Sequence, residues 1–346
     1  MARESSRLSR LERDAFRART GSLQDGTATT CRDEDLVRKT PIMKFLLIGH
    51  FSFDVHHPHN GTELVRYGGI YHALVTMASI MEKGDTAFPV FGLGKSDYDE
   101  VLDKLSGLPN VSTEGIFKLQ GSTNRVHFYA SSGHRPVECS KDIAPPIPYE
   151  KIRRHLSVNG ILVNMASGAD IALETLDHIR MAIRSHNITL HFDYHNLTLG
   201  IGEEHRRYRR PIDEWRRWAF MTDTVQLNEE EIAGLTPDRM SEEQTAAHLL
   251  TLGIKGVVVT RGAAGVSVFV SEHKHVLRTD IPGIHLNGGK TDTTGCGDVF
   301  GAAFHYQYTK TSDLRGSADF ANRIAASHMG SATGGSASVG ADRRLP

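Results

Sequence analysis

The chain reads as an α/β protein built on a mostly parallel sheet, and three stretches carry that reading. Lys44-Phe45-Leu46-Leu47-Ile48-Gly49 is an unbroken apolar run closed by glycine, the pattern of a strand covered on both faces. From residue 160 onward strand-like and helix-like stretches alternate, as parallel strands joined by helical crossovers do. Val126-His127-Phe128-Tyr129-Ala130 alternates apolar and polar, which predicts exposed antiparallel strands within residues 111–145.

Composition fits a folded domain. The 346 residues are 39% hydrophobic and 23% charged, enough for a full core. Two domains are allowed by length, but single α/β domains reach this size. A formal net charge of −1 gives no reason to expect a nucleic-acid or membrane partner. Cys31, Cys139 and Cys296 are too scattered for a disulfide framework or a CxxC zinc site, which favours a reducing, cytoplasmic setting. No apolar run approaches the roughly 18–20 residues of a membrane span, and no repeat is visible.

Residues 1–42 are rich in Arg, Ser, Thr and Asp and are expected to form a disordered extension. They lack the apolar stretch of a signal peptide, and Glu4, Glu12, Asp14 and Asp25 argue against a transit peptide. After the first strand, Asp54 follows Gly49 by five positions. This places a carboxylate where open α/β sheets bind ligands, although a turn aspartate explains it equally well. His56, His57 and His59 fall in an expected loop with no partner element for a metal site. Gly68-Gly69 opens a helix from about Ile70 to Glu82, with Ala73, Met77 and Ile80 on one face.

Phe88–Gly94 and Asp97 read as the next strand and its turn. Arg125 and Arg135 read as solvated strand charges. Gly160–Met165, Ile171–Arg184 and Ile188–Asp193 give strand, amphipathic helix and strand. The arginines between 203 and 218, with Trp215 and Trp218, are expected on a solvated helix face. Thr224–Leu227 is a strand, and Asn228-Glu229-Glu230-Glu231 after it has the form of a helix-capping box. Gly256–Thr260, a turn over Arg261–Gly265 and Val266–Val270 read as a hairpin. A last helix is expected from Leu314 to Met329, and Gly/Ser-rich residues 331–346 form a flexible tail.

The stretch Thr291–Phe300 has the shape of an anion-binding helix start. Gly295 and Gly297 let the backbone approach a ligand closely, and the first amides of a helix have no intrahelical partner. A phosphate can be held there without lysine. Asp298 falls in the first turn, beside such a phosphate. A helix cap alone would also explain Gly-x-Gly-Asp. A Rossmann fingerprint is excluded by Phe300 and by the late position, and a Walker A loop by the missing Gly-Lys-Ser/Thr.

Asp292-Thr293-Thr294-Gly295-Cys296-Gly297-Asp298 resembles the C-terminal signature of the ribokinase-like (pfkB-type) carbohydrate and nucleoside kinases, Asp-Thr-x-Gly-Ala-Gly-Asp, with Cys296 in place of Ala. Gly49-x-x-x-x-Asp54, Gly68-Gly69, Asn228-x-x-Glu231 and Thr260-x-Gly262-x-x-Gly265 follow the family's order. The resemblance covers about residues 43–330. It implies a ribokinase-like fold: a mostly parallel sheet with helices on both faces and a small β lid from segments about 52–66 and 111–140.

It also implies ATP-dependent transfer of the γ-phosphoryl group to a hydroxyl of a sugar or sugar derivative. In that scheme Gly295, Cys296 and Gly297 form the anion hole and Asp298 is the base. Asp54, with Gly68 and Gly69, binds the acceptor. Asn228 and Glu231 hold Mg²⁺. Thr260, Gly262 and Gly265 border the nucleotide, and Asp292 and Thr293 lie near it, where several relatives bind a monovalent cation. The expected partners are a small-molecule substrate and, as in many relatives, a second copy of the chain through the lid.

Two departures bear on the acceptor. Ala73 stands where the family often has Asn, and Asn196 follows Asp193 at +3 rather than +2 without the usual Arg. A nucleoside acceptor therefore stays open beside the sugar. A non-catalytic nucleotide or sugar sensor on the same fold is the third reading, disfavoured by the intact Gly295, Gly297 and Asp298. A dehydrogenase would need a Gly-rich turn after the first strand, which residues 49–54 lack.

Overall fold

The computed structural model describes residues 41–131, 136–238, 240–284 and 293–331. The expected N-terminal extension up to residue 40, the tail beyond residue 331, Cys31, Arg135 and Asp292 lie outside them. The chain runs β1 (Lys44–Ile48), β2 (Phe51–His57), β3 (Leu64–Gly69), α1 (Ile70–Ile80), β4 (Thr86–Gly94), α2 (Tyr98–Ser106), β5 (Ile116–Leu119), β6 (Asn124–Tyr129) and β7 (Val137–Asp142). It continues with β8 (Gly160–Asn164), α3 (Leu173–Ile183), β9 (Thr189–Asp193), β10 (Leu199–Ile201), β11 (Arg207–Arg209), α4 (Trp215–Phe220), β12 (Thr224–Asn228), α5 (Glu229–Gly234) and α6 (Glu242–Thr251). It closes with β13 (Gly256–Thr260), β14 (Gly265–Glu272), β15 (His275–Pro282), α7 (Cys296–Thr311) and α8 (Leu314–Ser331).

The main sheet has nine strands in the order β15-β14-β13-β12-β9-β8-β1-β4-β5. From β5 to β13 every pairing is parallel, and β14 and β15 close that edge as an antiparallel hairpin. Strands covered on both faces must be apolar throughout. Phe45, Leu46, Leu47 and Ile48 are fully buried, as are Val257, Val258 and Val259. The core divides in two. The larger part surrounds β1, β8, β9 and β12, and a smaller part packs Phe300, Phe304 and Tyr308 of α7 against Val258, Val266 and Val268.

A second, four-stranded sheet has the order β3-β2-β6-β7. Its register puts Ser52, Asp54 and His56 on one face with Gly68, Arg66 and Leu64 of β3 and Asn124, Val126 and Phe128 of β6. Ring stacking follows the same division: His56 lies on Phe128, while His57 on the other face stacks on His127 and Tyr129.

Three expectations need correction. Ile116–Leu119, assigned above to the lid, pairs with β4 and extends the main sheet; Ile116 and Leu119 are buried there, so the lid's second segment begins at Asn124. His56 and His57 sit on β2 rather than in a loop, and His57 Nε2 lies 2.8 Å from His127 Nδ1. The arginine-rich segment is not one solvated helix. Residues 199–209 form a hairpin with a single 3-10 turn at its tip, and only 215–220 is α-helical, with Trp215 and Trp218 buried. The Arg207 side chain is 5% exposed and donates to Ser140 Oγ at 2.8 Å and to the Ser167 carbonyl at 2.6 Å. No helix among the described residues is long and apolar enough to cross a membrane.

Candidate active site

Four neighbouring strands end on a polar residue: Asn164 on β8, Asp193 on β9, Asn228 on β12 and Thr260 on β13. Asn164 stands beside Asp193, and Asn228 beside Thr260, in the sheet register. The four strands are almost wholly buried, with Asn228 and Thr260 half-buried at this edge, the carboxyl-terminal side where open α/β sheets receive ligands.

Helix α7 begins above that edge. Gly295 caps it in the left-handed region at φ 75°, and a Cβ there would come within 2.5 Å of the His72 ring on α1. Both constraints demand glycine. At Gly297 the nearest atom to an added Cβ is Gln226 Nε2, 4.0 Å away, so the backbone faces open space. The Cys296 amide, expected in the anion hole, donates to the Thr293 carbonyl at 3.2 Å and closes the turn into the helix.

Asp298, in the first turn of α7, is 4% exposed. Asn164 Nδ2 donates to its Oδ1 at 2.7 Å and lies 3.4 Å from Asp193 Oδ2. Gln226 Nε2 reaches Asp193 Oδ2 at 3.2 Å and the Gly297 carbonyl at 3.0 Å. Two side-chain amides thus tie the strand edge to the start of α7. His195, two residues past the end of β9, has φ 35°, a costly conformation for a residue with a Cβ. Asp193, His195 and Asp298 each offer one ligand atom, and these lie within 4.8 Å of one another. Burial pulls the His195 imidazole down, but the Asp298, Asp193 and Glu231 carboxylates raise it to about 9. Burial holds the Asp193 carboxyl well above the usual carboxylate range, against the pull of His195.

The four-stranded sheet supplies Asp54. Ser52 Oγ donates to its Oδ1 at 2.9 Å. A Cβ at Gly68 would lie 2.2 and 2.3 Å from the two Asp54 carboxylate oxygens, so glycine there leaves room for the carboxylate. Gly69 is at φ 60° with the His50 carbonyl 2.3 Å from any Cβ, and it opens α1. Burial raises Asp54 to about 7, with repulsion from Asp298 and Glu138 adding to it. Ala73, on α1, is fully buried.

On the other side, Asn228 and Glu231 form the expected capping box. Glu231 Oε2 accepts from the Asn228 amide at 2.7 Å, Oε1 accepts from Asn228 Nδ2 at 2.7 Å, and Arg209 Nη1 stands 3.8 Å away. Burial raises the Glu231 carboxyl. An all-oxygen donor pair with a buried carboxylate that a nearby cation would relieve fits a hard divalent ion such as Mg²⁺. Gly262, at φ 53°, has open space where a Cβ would be. Gly265 differs: a Cβ there would sit 2.1 Å from the Ile281 carbonyl, so hairpin packing alone accounts for it. Thr293 is exposed.

Asn164, Gln226 and His195 were not singled out as site residues from the sequence. Asn164 had a signal, a polar residue closing an apolar strand as Asp193 and Asn228 do. Gln226 had a weaker one, a polar residue inside a buried strand. His195 had none.

Residues 208–338 match the pfkB family of carbohydrate kinases. A ribokinase of Arabidopsis thaliana is 36% identical over 86 residues, 24% of this chain; the match spans only 22% of that protein's length. Among solved structures, a pyrophosphate-dependent kinase of the ribokinase family in complex with sulfate aligns with a TM-score of 0.66 at 17% identity, over 83% of this chain and 95% of that one. Ribokinase from Thermotoga maritima gives 0.66 at 20% identity over 83% and 93%. Arabidopsis thaliana ribokinase complexed with ribose and ATP gives 0.61 at 17% over 82% and 92%.

Proposed function

We propose that this chain, ribokinase-like in fold and with residues 208–338 belonging to the pfkB family, is a kinase that phosphorylates a hydroxyl of a sugar or sugar derivative. The supporting observation is Asp298, held by Asn164 at the start of a glycine-capped helix, within electrostatic reach of a second buried carboxylate, Asp54. ATP is the proposed phosphoryl donor. Similar folds include pyrophosphate-dependent kinases, which makes pyrophosphate the alternative donor.

Phosphoryl transfer asks the protein mainly for placement and charge stabilisation. First-turn amides of α7 beyond Cys296, whose own N–H closes the turn on Thr293, would face the transferred group, with the open backbone at Gly297 letting its oxygens approach. Asp54 would accept hydrogen bonds from acceptor hydroxyls and fix which one faces the phosphorus. Asp298 would take that hydroxyl's proton, its carboxylate oriented by Asn164 Nδ2. Thr260 and Gly262 would border the donor, with room above Gly262 for its ribose or phosphates. Asn228 and Glu231 would hold Mg²⁺, which when bound neutralises donor phosphate charge. Asp292 and Thr293 remain the proposed flank for a monovalent cation, and the four-stranded sheet the proposed face of a homodimer.

Product release is measured with Mg-ATP, and separately with Mg-pyrophosphate, against sugars, sugar acids, sugar phosphates and nucleosides. Acceptor-dependent turnover with a sugar supports the reading, and the donor arm names the phosphoryl source. Turnover confined to nucleosides corrects the acceptor class. Donor binding without turnover on any acceptor favours the sensor.

A further inference from the structure

We propose that His195 is a further catalytic residue of this site, an imidazolium that donates a hydrogen bond to an oxygen of the phosphoryl group in transfer. It stands at +2 from Asp193, where the family pattern described above has a neutral Asn. A ring nitrogen of His195 and one oxygen each of Asp193 and Asp298 lie within 4.8 Å of one another. A group that near Asp298 is within reach of the phosphorus that an acceptor hydroxyl, held by Asp298, would attack. The position is central in the cleft. The charge of His195 acts on Glu231, on the side proposed for Mg²⁺, and on Asp54 of the lid.

The backbone points the same way. His195 keeps φ 35° although it carries a Cβ, and the turn around it is pinned. Its carbonyl accepts from Thr198 Oγ1 at 3.0 Å. Asn196 donates from its amide to the Met165 carbonyl at 3.1 Å and from Nδ2 to the Ala166 carbonyl at 2.6 Å. Gly168, at φ 81°, lets that loop close on the turn, since a Cβ there would lie 2.4 Å from the Asn196 carbonyl. Strain of this kind persists only where the surroundings hold it, and it gathers at functional sites. What the turn presents is a half-buried ring whose nitrogens, among the described residues, form no hydrogen bond. The carboxylates around the ring keep it charged. The arginines of β11 are already engaged, Arg207 by Ser140 and Ser167, Arg209 by Thr198 and Glu230. A charged donor left open beside the base can meet negative charge on phosphoryl oxygens as it shifts during transfer. The imidazolium keeps its proton throughout, and the acceptor's proton goes to Asp298.

The catalytic role rests on the kinase reading. The anion contact does not, and it is measured first. The full chain, free of nucleotide, is dialysed against radiolabelled inorganic phosphate. We expect one phosphate per chain. His195→Asn, which suits a positive φ, and His195→Gln should each weaken it at least about tenfold. Melting curves confirm that they fold, and if one does not, the other carries the test. In NMR spectra of labelled histidine rings, a wild-type signal missing from the variants should shift as phosphate is added, which reports contact at the ring. His57→Gln, on the outer face of the lid, should leave affinity unchanged. In the turnover assay His195→Asn and His195→Gln should lose about a hundredfold in kcat, the scale of one donor removed from developing charge, with acceptor KM within about twofold. No phosphate bound by the wild type, or equal affinity in the folded variants, overturns the contact, and an unchanged kcat overturns the catalytic role. Phosphate binding that depends on His195 in a protein that transfers no phosphoryl group overturns the kinase reading and leaves the contact standing.

Discussion

The Asn228–Glu231 side and the Asp298 side of this molecule are built in opposite ways. At the first, two residues three apart satisfy each other: amide to carboxylate, amide to side-chain oxygen, side chain to side chain. At the second, the side-chain contacts are long-range. Asn164 reaches Asp298 across 134 positions, and Gln226 reaches Gly297 across 71. A local arrangement is a property of helix starts and can be read from four letters. A long-range one exists only once the sheet has set its strand order. The first region is therefore expected to tolerate substitution as a helix cap does, and the second to fail sharply.

The sharpest break in that comparison should come from the lid. Gly68→Ala places a methyl group where the Asp54 carboxylate now lies, and Asp54→Asn removes its charge. Each should lower kcat/KM for the acceptor by at least about a hundredfold, the scale of one misplaced positioning group. Donor affinity, read by calorimetry, should hold within about twofold. A loss of donor binding equal to the loss of acceptor turnover would show that Asp54 does not act on the acceptor.

The next effect is on pH. Asp54 titrates at about 7 because burial disfavours its charge. Since it must be ionised to accept hydroxyl protons, acceptor kcat/KM should rise as pH increases through about 7, and the rise should vanish in Asp54→Asn. Stability moves the other way. A carboxyl whose folded pKa exceeds its unfolded one stabilises the fold below the unfolded value and loses that contribution as pH rises through the folded value. Melting temperature should thus fall between about pH 4 and pH 7, and by less in Asp54→Asn.

Acid should expose a different group. His191, fully buried under α7, is lowered to about 3 by desolvation. Its neutral form contributes stability above about pH 6.5, and that contribution is lost as pH falls toward 3. His191→Asn should flatten the acid limb of the melting curve. An unchanged acid limb would place the sensitivity elsewhere, His305 on α7 being the neighbouring buried imidazole.

The smallest effect belongs to the local side. Asn228→Ala removes the cap of α5 and should cost about 0.5–2 kcal/mol in chemical denaturation. Under the kinase reading it should also shift the Mg²⁺ dependence of turnover. A stability change without any such shift would leave Asn228 as a cap and nothing more.

The same contrast explains what could be read in the sequence. Apolar runs closed by Gly, Asn or Asp placed the parallel strands, because burial on both faces leaves little freedom in composition. The capping box and the helix start at Gly295 were legible because each is continuous in the chain. The lid's second segment was placed too early, since Ile116–Leu119 alternates weakly and only its pairing with β4 shows which sheet it joins. The arginines of 203–218 looked helical by composition, yet Tyr208 and Gly200 meet across a hairpin whose register no local pattern states. His195 was invisible for the same reason: a histidine in a turn becomes notable only once β9 and α7 bring two carboxylates to it.

The central claim is that Asp298 receives the acceptor's proton while the start of α7 holds the transferred group. It is tested most directly by single-turnover phosphoryl transfer in wild type and Asp298→Asn, with donor affinity measured on both. The account predicts a rate lower by about two to four orders of magnitude in the variant with donor affinity nearly intact. Transfer at the wild-type rate in Asp298→Asn would contradict it.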